Sequence, residues 1–185
     1  SSYGHTPQVC ETLAALFADA DYSVICGGKR KSKPLRIMHM IASILRNRRT
    51  IDYILIDTFS GSAFYWAYLC HLAAKAARLP YIPILHGGAL PQFSNRHPRL
   101  MMQYIRHAYS VVTPSPYLKE IFKGFPNTFH VIPNPIHIHQ YPFRKKPIKN
   151  RRIFWLRRFH SIYNPELALH VAHRLRKNYP NVHLT

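Results

Sequence analysis

Short apolar runs that stop abruptly in small or turn-forming residues recur along this chain, separated by stretches of 3.6-residue periodicity. Residues 6–19 carry an apolar stripe of Val9, Leu13, Leu16 and Phe17, with Thr6 as N-cap and Pro7 at the first helical position. Strands are expected at 21–26, ending in Gly27-Gly28, and at 51–57, leading into Thr58-Phe59-Ser60-Gly61. A Ser62-capped helix is expected over 62–78, then a strand at 81–85 and a helix at 98–109. A strand at 110–113, a helix at 116–123 and a strand at 129–132 follow. This alternation predicts an α/β fold, a Rossmann-like parallel sheet with helices on both faces.

From residue 136 to 150 the pattern dissolves into Pro, Lys, Arg and His, which reads as a linker. A strand over 152–156, a helix over 165–179 and a strand over 182–185 then open a second Rossmann-like unit. The expected domains are therefore 1–150 and 151–185. Ser1-Ser2-Tyr3-Gly4-His5 has the look of a glycine-bearing loop without the strand that normally feeds it, and the chain opens without methionine. The expectation is a cut start and a missing first strand.

A chain of 185 residues with 47% hydrophobic composition can bury one full core and part of a second. No run of 18 apolar residues is present, so no membrane-spanning helix is expected. Cys10, Cys26 and Cys70 are odd in number and widely spaced, which favours buried free thiols in a reducing, cytoplasmic compartment. His137-x-His139 and His170-xx-His173 lack an acidic partner at ligand spacing, so no metal site is expected.

Charge changes the picture most. With 26 basic against 7 acidic residues the formal net charge is +19, and the balance calls for an anionic partner. Nucleic acid is disfavoured, because no recognised binding signature appears and the aromatics sit inside apolar segments. Residues 36–50 place Ile37, Met40, Ile41, Ile44 and Leu45 on one helical face, with Arg46, Arg48 and Arg49 crowding the end. That pattern suits peripheral attachment to an anionic membrane surface, ordinary packing on the sheet, or both at once.

Candidate chemistry gathers at the strand ends, where open α/β folds bind ligands. In Ile84-Leu85-His86-Gly87-Gly88, an imidazole leaves a buried strand beside two glycines and their exposed N–H groups. His86 there is either a cleft residue, able to donate a hydrogen bond to a bound ligand, or a core histidine. Asp57 either accepts from a ligand hydroxyl or caps the next helix. Gly4 and His5 precede a helix and form either a plain turn or a place where backbone N–H groups can meet a ligand oxygen. Ser115 ends Val111-Val112-Thr113-Pro114-Ser115 and either binds ligand or caps a helix; Asn134 sits between two prolines in Val131-Ile132-Pro133-Asn134-Pro135.

These motifs, with Phe154-Trp155-Leu156-Arg157-Arg158-Phe159-His160 and Tyr163-Asn164-Pro165, resemble the retaining glycosyltransferases of family 4, two-domain GT-B enzymes that use nucleotide sugars. The resemblance implies transfer from a nucleotide-diphosphate sugar to a glycan or lipid-linked acceptor, with no resident cofactor and no metal. It implies that His86 lies near the reaction centre and that Gly4, His5, Asp57, Gly87, Gly88, Ser115 and Asn134 belong to the substrate-binding loops. Arg157 or Arg158 is implied to hold the donor diphosphate. Two departures stand out: Arg157 occupies the family's glycine position, and Tyr163 its lysine position. The family's acidic E-x7-E element would fall after Thr185, so residues 1–185 are expected to lack turnover alone. A basic nucleic-acid-binding protein and a noncatalytic Rossmann-like module are the rival readings.

Overall fold

The computed structural model describes residues 9–28, 32–136, 142, 143, 145, 152–157 and 159–185. The chain divides into two compact units, Ser1–Ile136 and His137–Thr185.

In the first unit, helices α1 (Val9–Asp19) and α2 (Lys33–Arg46) precede strand β1 (Ile54–Thr58). Helix α3 (Ser62–Ala77), strand β2 (Tyr81–Leu85) and helices α4 (Leu90–Arg96) and α5 (Pro98–Arg106) follow. Strand β3 (Val111–Thr113), helix α6 (Pro116–Phe122) and strand β4 (Phe129–Val131) complete the unit. The four strands form one parallel sheet in the order β1-β2-β3-β4. Pro stands in the first turn of α2, α4, α5 and α6, where its missing N–H costs no helical hydrogen bond.

Register decides which residues meet. Asp57 lies opposite Ile84 and Thr58 opposite Leu85. Because side chains alternate along a strand, Ile56, Thr58, Tyr81 and Leu85 point to one face, and Asp57, Ile84 and His86 to the other. The first face carries the core. Thr58 and Tyr104 are fully buried and their hydroxyls lie 2.7 Å apart. The Tyr81 hydroxyl donates to the Tyr104 carbonyl, and Phe64, Phe93 and His71 pack around these rings. Burial raises the Tyr104 phenol well above its ordinary pKa. Truncating such a ring to alanine removes roughly 3–5 kcal/mol of packing.

The inner apolar stripe of α2 packs into the core. Ile37, Met40, Ile41 and Ile44 join the core cluster, and α2 lies against α3. Leu35, Met38 and Leu45 stay exposed, so Leu45 falls outside the buried stripe to which its spacing had joined it.

Other expectations change as well. Residues 22–28 form extended coil, and no ladder pairs them among the described residues. The segment starts in a helix-ending turn instead: Asp21 has φ 64°, the Tyr22 N–H donates to the Phe17 carbonyl, and the two rings meet edge to face. It then runs past α2, where a Cβ on Gly27 would touch Met40. Cys10 and Cys26 are exposed, and only Cys70 is buried as expected. Gly61, at φ 70°, takes the N-cap position of α3, which places Ser62 inside the helix. Helix α4 was not expected; Pro91 sits in its first turn, and Leu90 and Phe93 are buried.

The second unit is a parallel βαβ element. Strand β5 (Arg152–Ile153) pairs with β6 (His183–Leu184), and helix α7 (Pro165–Asn178) connects them. Both strands are shorter than the apolar runs predicted, and Phe154 and Leu156 are exposed beyond the ladder. Asn164, with φ 46°, caps α7 by accepting from the Leu167 N–H at 3.2 Å.

His71 gives the fold a measurable pH signature. It is 2% exposed against Tyr81 and Tyr104, and burial, with His107 and Lys75 nearby, lowers its pKa from 6.5 to about 4. The unfolded chain therefore binds the extra proton first as pH falls below 6.5. Stability should be full above that pH and should decline by up to about 1.4 kcal/mol per pH unit down to the folded value. Urea unfolding of wild type and His71→Gln across this range should show the steeper acid loss in wild type; parallel curves would remove the assignment.

Candidate functional site

Strand β2 delivers His86 to the carboxyl edge of the sheet, and the ladder continues one residue past the strand. The His86 N–H donates to the Thr58 carbonyl at 2.8 Å. This bond fixes the backbone of His86 beside the end of β1, on the face that also carries Asp57. The His86 Nε2 lies 3.1 Å from Asp57 Oδ1, with the imidazole 6% and the carboxylate 19% exposed. Phe59, two residues beyond Asp57, stacks on the imidazole at 5.0 Å and 19°.

Cys10, in the first turn of α1, supplies a third group. Although Cys10 is exposed as a residue, desolvation of its sulfur and the nearby Asp57 carboxylate push the thiol up to about 11. A thiol held in its neutral form is a poor nucleophile. The carboxylate meets the imidazole at hydrogen-bond distance and lies near enough to the thiol to disfavour its ionisation.

The loop after His86 is open. Gly87 has φ +89°, and a Cβ built on either Gly87 or Gly88 would meet nothing within 4 Å. The glycines therefore serve backbone conformation at position 87 and free access at both. Among the described residues no group of three His, Cys, Asp or Glu side chains could hold a metal ion.

The structure brings Asp57, His86, Gly87 and Gly88 together and gives the other candidates different surroundings. Gly4 and His5 lie outside the described residues. The Ser115 hydroxyl caps α6 by accepting from the Leu118 N–H at 3.4 Å, the capping alternative left open by its sequence. Asn134 is exposed in the irregular segment after β4. Asp57 pairs with His86, while Gly61 holds the N-cap position of α3 that Asp57 was otherwise expected to serve.

In the second unit, Arg157 is exposed and its guanidinium sits 5.3 Å from the Tyr163 ring centre; Arg158 lies outside the described residues. Near it, Phe159, His160, Ser161, Asn164, Pro165 and Glu166 line a cavity of about 370 Å³ at the start of α7.

Two contributors were missed in the sequence. Phe59 was legible in principle, since it lies two residues from Asp57 on a strand extension and shares its face. Cys10 was not, because only the tertiary approach of α1 brings it to Asp57.

Gly87 and Gly88 separate conformation from space. Gly87→Ala should cost about 1 kcal/mol or more, since a left-handed φ penalises any Cβ. Gly88→Ala should cost less, having neither that φ nor a clash. Denaturant midpoints of the two variants check this; equal losses would contradict the assigned backbone.

A search of curated proteins returns no match for the chain. The family model described as Glycosyltransferase Family 4 matches residues 3–140, well over half of the chain, and spans the whole four-stranded sheet with Asp57, His86 and the two glycines. The four-stranded parallel sheet flanked by helices is the Rossmann-like frame such a domain requires. The chain belongs to Glycosyltransferase Family 4, and its domain is one of glycosyl transfer.

Proposed function

We propose that this protein transfers a sugar from a nucleotide-diphosphate donor to a glycan or lipid-linked acceptor, with retention, in a GT-B arrangement. In it, the first unit faces the acceptor and the second begins the donor-binding half. The bond from the anomeric carbon to the diphosphate oxygen breaks, a bond to the acceptor hydroxyl oxygen forms, and the hydroxyl proton leaves with the diphosphate. The observation that carries this reading is the part-buried His86–Asp57 pair at the carboxyl edge of a parallel sheet matched to this family.

His86 contacts a hydroxyl near the reaction centre, while the N–H groups of Gly87 and Gly88 offer donors along an open edge. Gly4 and His5 belong to the first substrate loop, and Ser115 and Asn134 border the same sheet edge. Arg157 and Arg158 hold the diphosphate, whose charge a guanidinium matches in bidentate fashion. Arg157 already rests on Tyr163, so the aromatic ring takes over part of the positioning that the family assigns to a lysine. No metal or resident cofactor enters this scheme.

The acceptor side also fits a membrane-bound substrate. Lys33, Arg46, Arg48 and Arg49 surround the exposed Leu35, Met38 and Leu45 of α2 and the turn after it. Among the described residues no helix is long and apolar enough to cross a membrane, so attachment of this kind would be peripheral. The inner stripe of α2 is spent on α3, which leaves the outer side, with its cations and these three apolar side chains, to meet anionic lipid.

The intact enzyme should turn over at least one of a panel of uridine, guanosine and adenosine diphosphate sugars, with the product keeping the donor's anomeric configuration. His86→Ala should lower kcat on the order of 10²-fold with little change in Tm. A large loss of Tm with activity per folded molecule preserved would return His86 to the core. Absence of nucleotide-sugar binding together with salt-sensitive RNA binding would overturn the reading itself.

Anionic vesicles should sediment the protein, and Arg46→Glu/Arg48→Glu/Arg49→Glu should abolish most of that binding, since each basic group contributes about 1 kcal/mol near such a surface. Equal binding to neutral vesicles would remove the membrane from the scheme.

A further inference from the structure

We propose that Asp57 is a positioning residue that fixes the neutral His86 imidazole with its proton on Nε2, so that the ring meets its ligand through Nδ1 as a hydrogen-bond acceptor. A carboxylate can only accept, so a neutral ring nitrogen 3.1 Å from Asp57 Oδ1 must carry the hydrogen. The other nitrogen then holds the lone pair. This reverses the polarity expected of His86 as a donor: a partner at Nδ1 must itself present an O–H or N–H.

Three features restrain the ring in this state. The backbone of His86 is tied to Thr58 at 2.8 Å, and the Phe59 ring lies against the imidazole face, which limits rotation about the ring's own axis. The Nε2 contact with Asp57 Oδ1 holds the ring at its outer edge. The imidazole's own remaining hydrogen-bonding capacity is the Nδ1 lone pair, beside a loop whose glycines crowd nothing.

The tautomer stands on geometry alone. The identity of the donor rests on the glycosyl-transfer reading above: it is a substrate hydroxyl, whose hydrogen would point at the imidazole. His86 thus selects an unblocked hydroxyl over an ether or ester oxygen at that position, since a capped oxygen has no hydrogen to offer.

Long-range proton–nitrogen correlation spectra of the 15N-labelled 185-residue chain, taken at mildly alkaline pH where imidazoles are neutral, test the tautomer without any sugar. The His86 signals are identified by their loss in His86→Gln. The expected result is a protonated Nε2, an unprotonated Nδ1, and an Nε2 proton that exchanges slowly with water. In Asp57→Asn that exchange should quicken by roughly tenfold or more, as a charge-assisted bond gives way to a neutral one, whereas Cys10→Ala should leave the tautomer in place. A proton on Nδ1 in wild type overturns the proposal by itself, even should Asp57→Asn fail to fold, and so do unchanged spectra in a folded Asp57→Asn. Saturating the intact enzyme with donor and acceptor should then move the Nδ1 resonance. If it stays while the tautomer holds, the hydroxyl contact falls and the positioning role of Asp57 survives. The tautomer spectra involve no turnover, so failure of the glycosyl-transfer reading shows separately.

Discussion

The single bond from the His86 N–H to the Thr58 carbonyl, 2.8 Å long, organises the site. It carries the parallel ladder of β1 and β2 one residue beyond the strand and so pins a loop residue with the precision of a sheet. Asp57 and His86 then share a face by alternation alone, and the 3.1 Å contact between their side chains follows. Phe59 reaches the same face by the same alternation. A site on a free loop would have to hold this geometry against the conformational entropy of its own backbone; here the sheet has already met that cost.

The opposite face has a different character. Thr58, Tyr81, Tyr104 and His71 form a buried polar and aromatic layer whose hydroxyls satisfy one another and the backbone. Such a layer specifies a unique packing more strictly than an aliphatic one, since each hydroxyl has a directional partner. Neighbouring residues of one strand thus serve two separate purposes. Asp57 belongs to the candidate site, Thr58 to the core, and little besides the shared backbone connects them.

Much of this was legible in the sequence. Strong β-branched runs with abrupt ends gave β1 to β4 within a few residues, and the prolines before residues 99 and 117 marked helix starts. His86 stood out because Gly87-Gly88 follows it. What the sequence could not carry were facts of partnership. Val24 and Ile25 look like strand residues, but a strand exists only with a ladder, and the turn at Asp21 sends them elsewhere. The stripe of α2 gives equal support to lipid and to protein until α3 is seen against it. Ser115 and Asp57 both had a capping option; one caps and the other pairs with a histidine. Cys10 reaches Asp57 across 47 positions of chain, and no local pattern encodes that approach.

The division of labour within β1 also bears on how this segment can change over time. Substitutions at the site and in the core can accumulate separately, because alternate positions answer to different demands. Gaining or losing one residue ahead of Asp57 is another matter. It would rotate the whole strand by half a turn, sending the carboxylate into the tyrosine layer and threonine out to the imidazole. Descendants of this chain are thus free to vary letter by letter along β1, yet are held to a fixed reading frame, with length heritable here in a way that identity is not.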